Sequence, residues 1–237
     1  MHPTKIILLL VCLLLGSCRA QNPTLTPTVT TNLTLHNSQI AALQVSNSWV
    51  HIAAGDTILY GLHQWNPTLW QSCCGRAGVF AAGIPNDRIE HLLWRVTDGG
   101  LFSAGCPGVF AVAVGTNNLF LNTDYVTAGI QNLVSEIHAL CPTTRIALLS
   151  LLQRNVVCTQ TQIDDGSCVN SKVRRVNRAL ALHYAQSDAW IQFHYITYLL
   201  EDPDGQPTAS CYSTNNVQPT ATGYTLISQV LPGLVSP

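Results

Sequence analysis

Hydrophobic positions along the chain alternate between short unbroken runs and longer stripes at helical spacing. The runs predict five β-strands, at Trp49–Ala53, Gly78–Ala82, Val109–Val114, Arg145–Leu151 and Ala189–Phe193. The third run is apolar at every position, which is typical of a strand that is covered on both faces. Strands of this kind occur in parallel sheets with helices on either side, so the pattern favours a parallel sheet.

The segments between these runs place apolar residues on one side of a helix. The predicted helices cover Asp87–Val96, Asp124–Leu140, Val169–Tyr184 and a final segment after Gly223-Tyr224. In the first of them an apolar stripe recurs at intervals of three and four residues, as a helix packed on a sheet requires. Alternating strands and helices with short connections predict a three-layer α/β fold with a five-stranded parallel sheet.

Composition limits the classes of function. The chain has 237 residues, of which 47% are hydrophobic, enough for one sizeable core, and we assign residues 46–237 to one domain. Only 10% of residues are charged and the formal net charge is −1. This charge disfavours an electrostatic partner such as nucleic acid or an anionic membrane.

The first 20 residues have the pattern of a secretory signal peptide. Lys5 precedes the apolar run Ile6–Leu15, and the small-residue segment Gly16–Ala20 follows it. Ten apolar residues are too few to span a bilayer, so we predict a secreted or extracellular protein without an integral membrane span. An alternative is a bacterial lipoprotein signal with a lipid on Cys18, although Gly16 fits that signal poorly.

Residues 21–45 are predicted to be a Thr/Pro-rich extended linker. The stretch Gln21–Leu35 reads QNPTLTPTVTTNLTL, a composition typical of linkers that carry O-linked glycans. Asn32 lies in an Asn-Leu-Thr sequon, which would make the protein a glycoprotein in a eukaryotic secretory pathway.

Seven cysteines follow the predicted signal peptide, and most should pair in an oxidising compartment. Cys158 and Cys168 flank a polar loop and are the first choice for a local disulfide. Two further predicted pairings join Cys73 or Cys74 to Cys106, and Cys141 to Cys211. An odd total leaves one thiol free or paired between chains. No cofactor or metal site is predicted, because the chain has no Cys-x-x-Cys pair and no His-Glu-x-x-His helix.

Several blocks in order carry a resemblance to a known superfamily. They are GDT, GIPNDRIEHLLWRV, VFAVAVGTNN, IALLSLLQR, KVRRVNRAL and a closing ATGY. Between Trp49 and Leu231 the chain resembles the SGNH, or GDSL-like, hydrolases, and most closely the catalytic subunits of platelet-activating-factor acetylhydrolase type Ib. The resemblance implies a flavodoxin-like fold, hydrolysis of acyl esters and a homodimer. It also places the site outside the carboxyl ends of the strands.

Catalysis in that superfamily needs a serine nucleophile, an Asp-x-x-His motif and an oxyanion hole made by backbone amides and an asparagine. The resemblance places Thr57 in the nucleophile position and Asn86 in the position of the oxyanion glycine. Asn117 matches the oxyanion asparagine. Thr57 and Asn117 each have an alternative interpretation as a helix or turn cap.

The decisive departure is in the Asp-x-x-His motif. Aligned on Gly223-Tyr224, its aspartate position holds Asn215 and its histidine position holds Gln218. Glutamine has no titratable proton acceptor near neutral pH, so the Thr57 hydroxyl lacks a base. His194, at the end of the last predicted strand, is the one candidate for a substitute base.

The sequence therefore predicts a secreted SGNH-type protein that has lost ester hydrolysis and acts as a binding or structural module. Its partner would be a lipid, an acylated glycan or a protein. One alternative is an active acyl-ester hydrolase that uses Thr57, Asn117 and His194. Another is an extracellular-matrix or cell-wall component that is cross-linked through its linker or its odd cysteine.

Overall fold

The computed structural model describes residues 22–45, 49–187 and 189–235. Five parallel strands form one sheet in the order β2-β1-β3-β4-β5. They are β1 His51–Gly55, β2 Val79–Gly83, β3 Val109–Ala113, β4 Arg145–Leu149 and β5 Ile191–His194. The predicted parallel α/β sheet is confirmed, with each strand overlapping its predicted run.

Both faces of the sheet are buried, which explains why the strands are apolar at nearly every position. Ile52, Phe110 and Val112 pack into a cluster on one face. Val109 and Ala111 pack into a cluster on the other face. Alternate residues of a strand point to opposite faces, so a strand between two helical layers needs apolar side chains throughout.

Helices cover both faces and overlap all four predicted segments. They are α1 Leu33–Val45, α2 Thr57–Gln64, α3 Pro67–Cys73, α4 Ile89–Thr97, α5 Thr123–Leu140, α6 Gln160–Asp164, α7 Val169–Tyr184 and α8 Ala221–Val235. The predicted bounds of α7 agree with the structure at both ends. Helices α1, α3 and α6 were not predicted.

The prediction of an extended linker before the domain is wrong for residues 22–45. This segment contains α1 and packs on the domain through polar contacts. The Thr30 hydroxyl donates to Asp87 at 2.6 Å, and the Gln39 amide donates to the carbonyl of Gly83 at 3.0 Å. Asn32, the asparagine of the sequon, begins α1 because its side chain accepts from the backbone N–H of Leu35 at 2.9 Å.

Two disulfides form, one of them predicted. Cys158–Cys168 is confirmed, whereas Cys106 pairs with Cys141 and not with the partners guessed from the sequence. Cys106 precedes β3 and Cys141 follows α5, so both lie at the amino ends of the strands. The remaining thiols, Cys73, Cys74 and Cys211, are all buried.

Within the described ranges, the structure has no helix that is both long enough and apolar enough to cross a bilayer. The predicted signal peptide, residues 1–20, with the alternative lipid site at Cys18, lies outside the described residues. The two disulfides are consistent with an extracellular protein.

Candidate active site

Five segments surround one small cavity: the loops after the first four strands and the stretch 215–218 that precedes α8. Thr57 follows β1, Asn86 follows β2, Asn117 follows β3 and Arg154 follows β4. The carboxyl ends of parallel strands meet at one edge of a sheet, where α/β folds bind their ligands. Gly55, the last residue of β1, lies so close to β3 that a Cβ atom there would clash with the carbonyl oxygen of Ala113.

This strand-end cavity has a volume of about 190 Å³. Its lining consists of Asp56, Thr57, Ile58, Asn86, Thr116, Asn117, Arg154, Asn215, Val217 and Gln218. The five residues that the resemblance places in the site therefore line one cavity, although they come from distant parts of the chain. A larger cavity, of about 340 Å³, lies around His51 and Pro107 at the amino ends of the strands and contains none of them.

The Thr57 hydroxyl lies beside the predicted oxyanion amide. Its Oγ1 atom accepts a hydrogen bond from the backbone N–H of Asn86 at 3.0 Å. Thr57 does not cap α2, because the preceding Asp56 is the N-cap and accepts from the backbone N–H of Ile58 at 2.9 Å. The capping interpretation of Thr57 is thus wrong, and its hydroxyl lies in the cavity.

Asn86 occupies the glycine position with a backbone conformation that suits glycine. Its φ angle is 63°, in the left-handed region, where asparagine is the best tolerated of the larger residues. The backbone N–H of Asn86 faces the Thr57 hydroxyl, as an oxyanion donor would. Its side chain, which glycine lacks, is exposed at the mouth of the cavity.

Asn117 lines the cavity and also supports its wall. Its side-chain amide donates to the backbone carbonyl of Asp87 at 2.8 Å, which ties the loop after β3 to the loop after β2. The neighbouring Asn118 strengthens this connection by accepting from the backbone N–H of Ile89 at 3.0 Å and donating to Glu90 at 2.8 Å. This bond joins two loops and is not the helix or turn cap that was the alternative interpretation of Asn117, and one amide hydrogen remains for a ligand.

Asn215 organises the turn that brings Gln218 to the cavity. Its side-chain oxygen accepts from the backbone N–H groups of Val217 and Gln218, both at 3.0 Å, and from the Ser213 hydroxyl at 2.7 Å. An amide oxygen accepts the same bonds as a carboxylate oxygen, so an aspartate at this position could form the same turn. The Gln218 side chain is half-buried and lines the cavity.

The structure does not bring His194 to the cavity. It ends β5, which is separated from β1 by β3 and β4, a distance of about 14 Å at the usual strand spacing. The described histidines all lie away from the lining: His36, His51, His63, His91, His138, His183 and His194. Two of them, His51 and His91, accept hydrogen bonds from the backbone N–H groups of Val109 and Arg88.

The cavity contains two charged residues that the sequence analysis missed, Asp56 and Arg154. Asp56 is 1% exposed, and burial raises the pKa of its carboxyl to about 7. Burial lowers the pKa of the half-buried Arg154 guanidinium, and attraction to Asp56 opposes that effect. The sequence contains Asp56 in the GDT block, next to the nucleophile position. It gives no sign of which residue after β4 would line the same cavity.

We expect the substitution Asp56→Asn to stabilise the fold at pH 8 and not at pH 4. The folded pKa of about 7 lies above the ordinary 3.8, so protonated Asp56 favours folding below about pH 4, and this stability is lost as the pH rises to 7. By linkage, ionisation of Asp56 lowers the free energy of unfolding by ~4 kcal/mol at high pH. The asparagine of the variant avoids this loss, but its buried amide without a partner costs about half as much. Urea unfolding at both pH values measures the difference, expected to be about 2 kcal/mol at pH 8. Equal stabilities at pH 8 would contradict the raised pKa.

A buried ion pair supports the wall that carries Asn86. The fully buried Arg95 donates to the Asp87 carboxylate at 3.2 Å, to Gln39 at 3.0 Å and to the carbonyl of Ala82 at 2.7 Å. The Thr30 hydroxyl donates to the other oxygen of that carboxylate. The segment that follows Asn86, Asp87–Val96, therefore has a structural role: its buried ion pair fixes the loop after β2 that carries Asn86.

Comparison with known proteins finds a partial sequence match and a match of the whole fold. No family model matches the sequence. The chain is 33% identical over 100 residues to the rat platelet-activating factor acetylhydrolase IB subunit alpha1, an alignment that covers 42% of each protein. The chain thus spans less than half the length of that relative.

Solved structures match over nearly the whole chain. A GDSL-like lipase from Bacteroides thetaiotaomicron is 19% identical with a TM-score of 0.67, and the match covers 86% of this chain and 97% of the lipase. An acetyl-xylooligosaccharide esterase from Geobacillus stearothermophilus, solved as a mutant, is 13% identical with a TM-score of 0.60, covering 82% and 97%. The resemblance predicted from the sequence is confirmed: the chain has the fold of the SGNH, or GDSL-like, hydrolases, and part of its sequence is similar to that of the platelet-activating factor acetylhydrolase IB subunits.

Proposed function

We propose that this protein is a secreted SGNH-fold binding module that has lost ester hydrolysis. The observation that carries the proposal is the lining of the strand-end cavity. It retains a hydroxyl, Thr57, and the oxyanion groups of Asn86 and Asn117, but amides stand at the two positions that hold the catalytic carboxylate and imidazole. The scaffold for an acyl ester is kept, while the groups that move the proton are replaced.

The missing imidazole outweighs the groups that remain. A threonine hydroxyl stays protonated at neutral pH unless a base removes its proton, and Gln218 cannot do so. In subtilisin, loss of the serine or the histidine alone lowers kcat by about 10⁶-fold. The oxyanion donors at Asn86 and Asn117 stabilise charge that develops only after attack, so they do not replace a base.

Export is supported by the predicted signal peptide and by the Cys106–Cys141 and Cys158–Cys168 disulfides. The alternative of covalent cross-linking in a matrix or cell wall has less support, since the three unpaired thiols are buried. A homodimer like that of the resembled subunits is compatible with the proposal, which does not depend on it.

Hydrolysis with Thr57 as nucleophile is the second candidate function, and one observation favours it. The Asp56 carboxyl, with its pKa raised to about 7 by burial, lies in the same cavity and could accept a proton near neutral pH. Against this function, one Asp56 oxygen already caps α2. His194, the base first considered, lies on the far edge strand.

An esterase assay separates the two functions. The purified protein is incubated with p-nitrophenyl acetate and p-nitrophenyl butyrate, and we expect no turnover above buffer for the wild type or for Thr57→Ala. The exposed Thr161 provides the control substitution Thr161→Ala. Turnover that Thr57→Ala abolishes and Thr161→Ala retains would refute the binding-module proposal. Additional loss in Asp56→Asn would then identify the base.

A further inference from the structure

Two polar atoms of the strand-end cavity lack a hydrogen-bond partner among the described residues. They are Oδ2 of Asp56, an acceptor, and Nε of Arg154, a donor, and both are buried. A buried polar group without a partner costs about 1–3 kcal/mol, and native proteins rarely tolerate it without a bound molecule or a function. Two such groups of opposite type in one cavity therefore point to a ligand.

One other atom of each side chain forms a hydrogen bond, which restrains the position of the unpartnered atom. Oδ1 of Asp56 accepts from the backbone N–H of Ile58 at 2.9 Å. The Nη2 group of Arg154 donates to the carbonyl of Thr116 at 3.0 Å. Asn170 accepts from the backbone N–H of Arg154 at 2.8 Å and donates back to its carbonyl. Turning away would break the bond of Asp56 to Ile58 or that of Arg154 to Thr116, while Asn170 fixes the backbone of Arg154.

The rest of the lining is neutral and able to form hydrogen bonds. Amide groups of Asn86, Asn117, Asn215 and Gln218 and the hydroxyl groups of Thr57 and Thr116 share the lining with Asp56 and Arg154. Among the lining residues only Ile58 and Val217 are apolar, so the cavity offers little surface to a fatty acyl chain. The lining has one carboxyl and one guanidinium, with no cluster of like charges that would select a charged ligand.

We propose that the strand-end cavity binds a single unit of a neutral carbohydrate. One sugar hydroxyl would donate to Oδ2 of Asp56 and accept from Nε of Arg154, because a hydroxyl is the simplest group that does both. Neighbouring hydroxyls would bond the amides of Asn215 and Gln218. The volume of about 190 Å³ is below the usual range for drug-sized ligands, which limits the occupant to about one sugar ring. This inference rests on the proposed function and names its ligand class.

Ligand-observed NMR and calorimetry test the inference on the full chain. The probes are neutral xylo-, chito- and manno-oligosaccharides, with octanoate and lysophosphatidylcholine as lipid probes. We expect saturable binding of at least one oligosaccharide and of neither lipid. The variants Asp56→Asn, Arg154→Lys and Gln218→Leu should each weaken that binding about tenfold. Asp204→Asn, an exposed residue outside the cavity, should leave it unchanged.

Each outcome bears on the inference separately from the proposed function. Absence of oligosaccharide binding, binding that persists in both Asp56→Asn and Gln218→Leu, or binding of a lipid probe in its place would each overturn it. Circular dichroism on every variant confirms that lost binding is not lost folding, and Gln218, half-buried and outside the helices, should be tolerant. Ester turnover in the assay above refutes the proposed function without deciding whether a sugar occupies the cavity.

Discussion

The triple variant Thr57→Ser, Asn215→Asp, Gln218→His should hydrolyse p-nitrophenyl acetate at least 10²-fold faster than buffer alone, the background at which we expect the wild type. A positioned general base contributes about 10²–10⁴-fold, and removing the methyl group of Thr57 opens the approach to the attacking oxygen. The measurement is initial rate against substrate concentration for both proteins. The expected pH profile rises through the pKa of the new imidazole, close to 6.5.

The geometry favours this gain because the backbone around the three positions is already in place. An aspartate at position 215 would accept the bonds that Asn215 now accepts from Val217 and Gln218, and its second oxygen would remain to orient an imidazole at position 218. A serine at position 57 would keep the contact with the backbone N–H of Asn86. Both positions line the same cavity.

The matched control is the double variant Thr57→Ser, Asn215→Asp, which has the nucleophile and the carboxylate without the imidazole. It should remain at the wild-type rate. A folded triple variant no faster than this control would show that the missing base is not what blocks hydrolysis. The side chain of Asn86 would then be the next obstacle, and its φ of 63° makes Asn86→Gly compatible with the backbone.

The substitution Arg95→Met should destabilise the fold by about 3–5 kcal/mol, because it leaves a buried carboxylate without its counter-charge. Arg95 and Asp87 are both fully buried, and their closest atoms are 3.2 Å apart. Burial lowers the pKa of Arg95 only to about 10, so the pair is ionic at neutral pH. Urea-induced unfolding followed by circular dichroism measures the loss.

Arg178→Met is the control for this prediction, since Arg178 is exposed on α7 and its loss should change stability by less than about 0.5 kcal/mol. A similar small change for Arg95→Met would contradict the role assigned to the ion pair. Part of the expected loss comes from the N-terminal segment, because Gln39 of α1 bonds the same guanidinium.

Predictions from the sequence succeeded where one local pattern decides the structure. The run Val109–Val114 is apolar because β3 is covered on both faces. Helix α7 has an apolar stripe along one side, and that side is buried. Helix α1 was missed because its apolar residues do not form such a stripe. It is held instead by polar contacts of His36 and Gln39 with distant backbone carbonyls.

Pairings between distant residues were the least predictable. Cys106 and Cys141 meet because the loop before β3 and the end of α5 converge at the amino ends of the strands, and spacing along the chain carries no sign of this. The distance of His194 from the cavity is likewise set by the order of the strands. The sequence places it at a strand end, but the order β2-β1-β3-β4-β5 places that end on the far side of the sheet.

The amino-acid sequence by itself determined which elements form and which chemical groups are present, because burial pattern and side-chain chemistry are local properties. It thereby determined that amides, Asn215 and Gln218, stand at the positions that carry a carboxylate and an imidazole in the resembled enzymes. Only the tertiary structure decided that these amides meet Thr57 in one cavity, that no described histidine lines it, and that Asp56 and Arg154 line it too. These features depend on distances across the sheet. The order of the strands and the packing of the loops set those distances, and no single segment of the sequence specifies them.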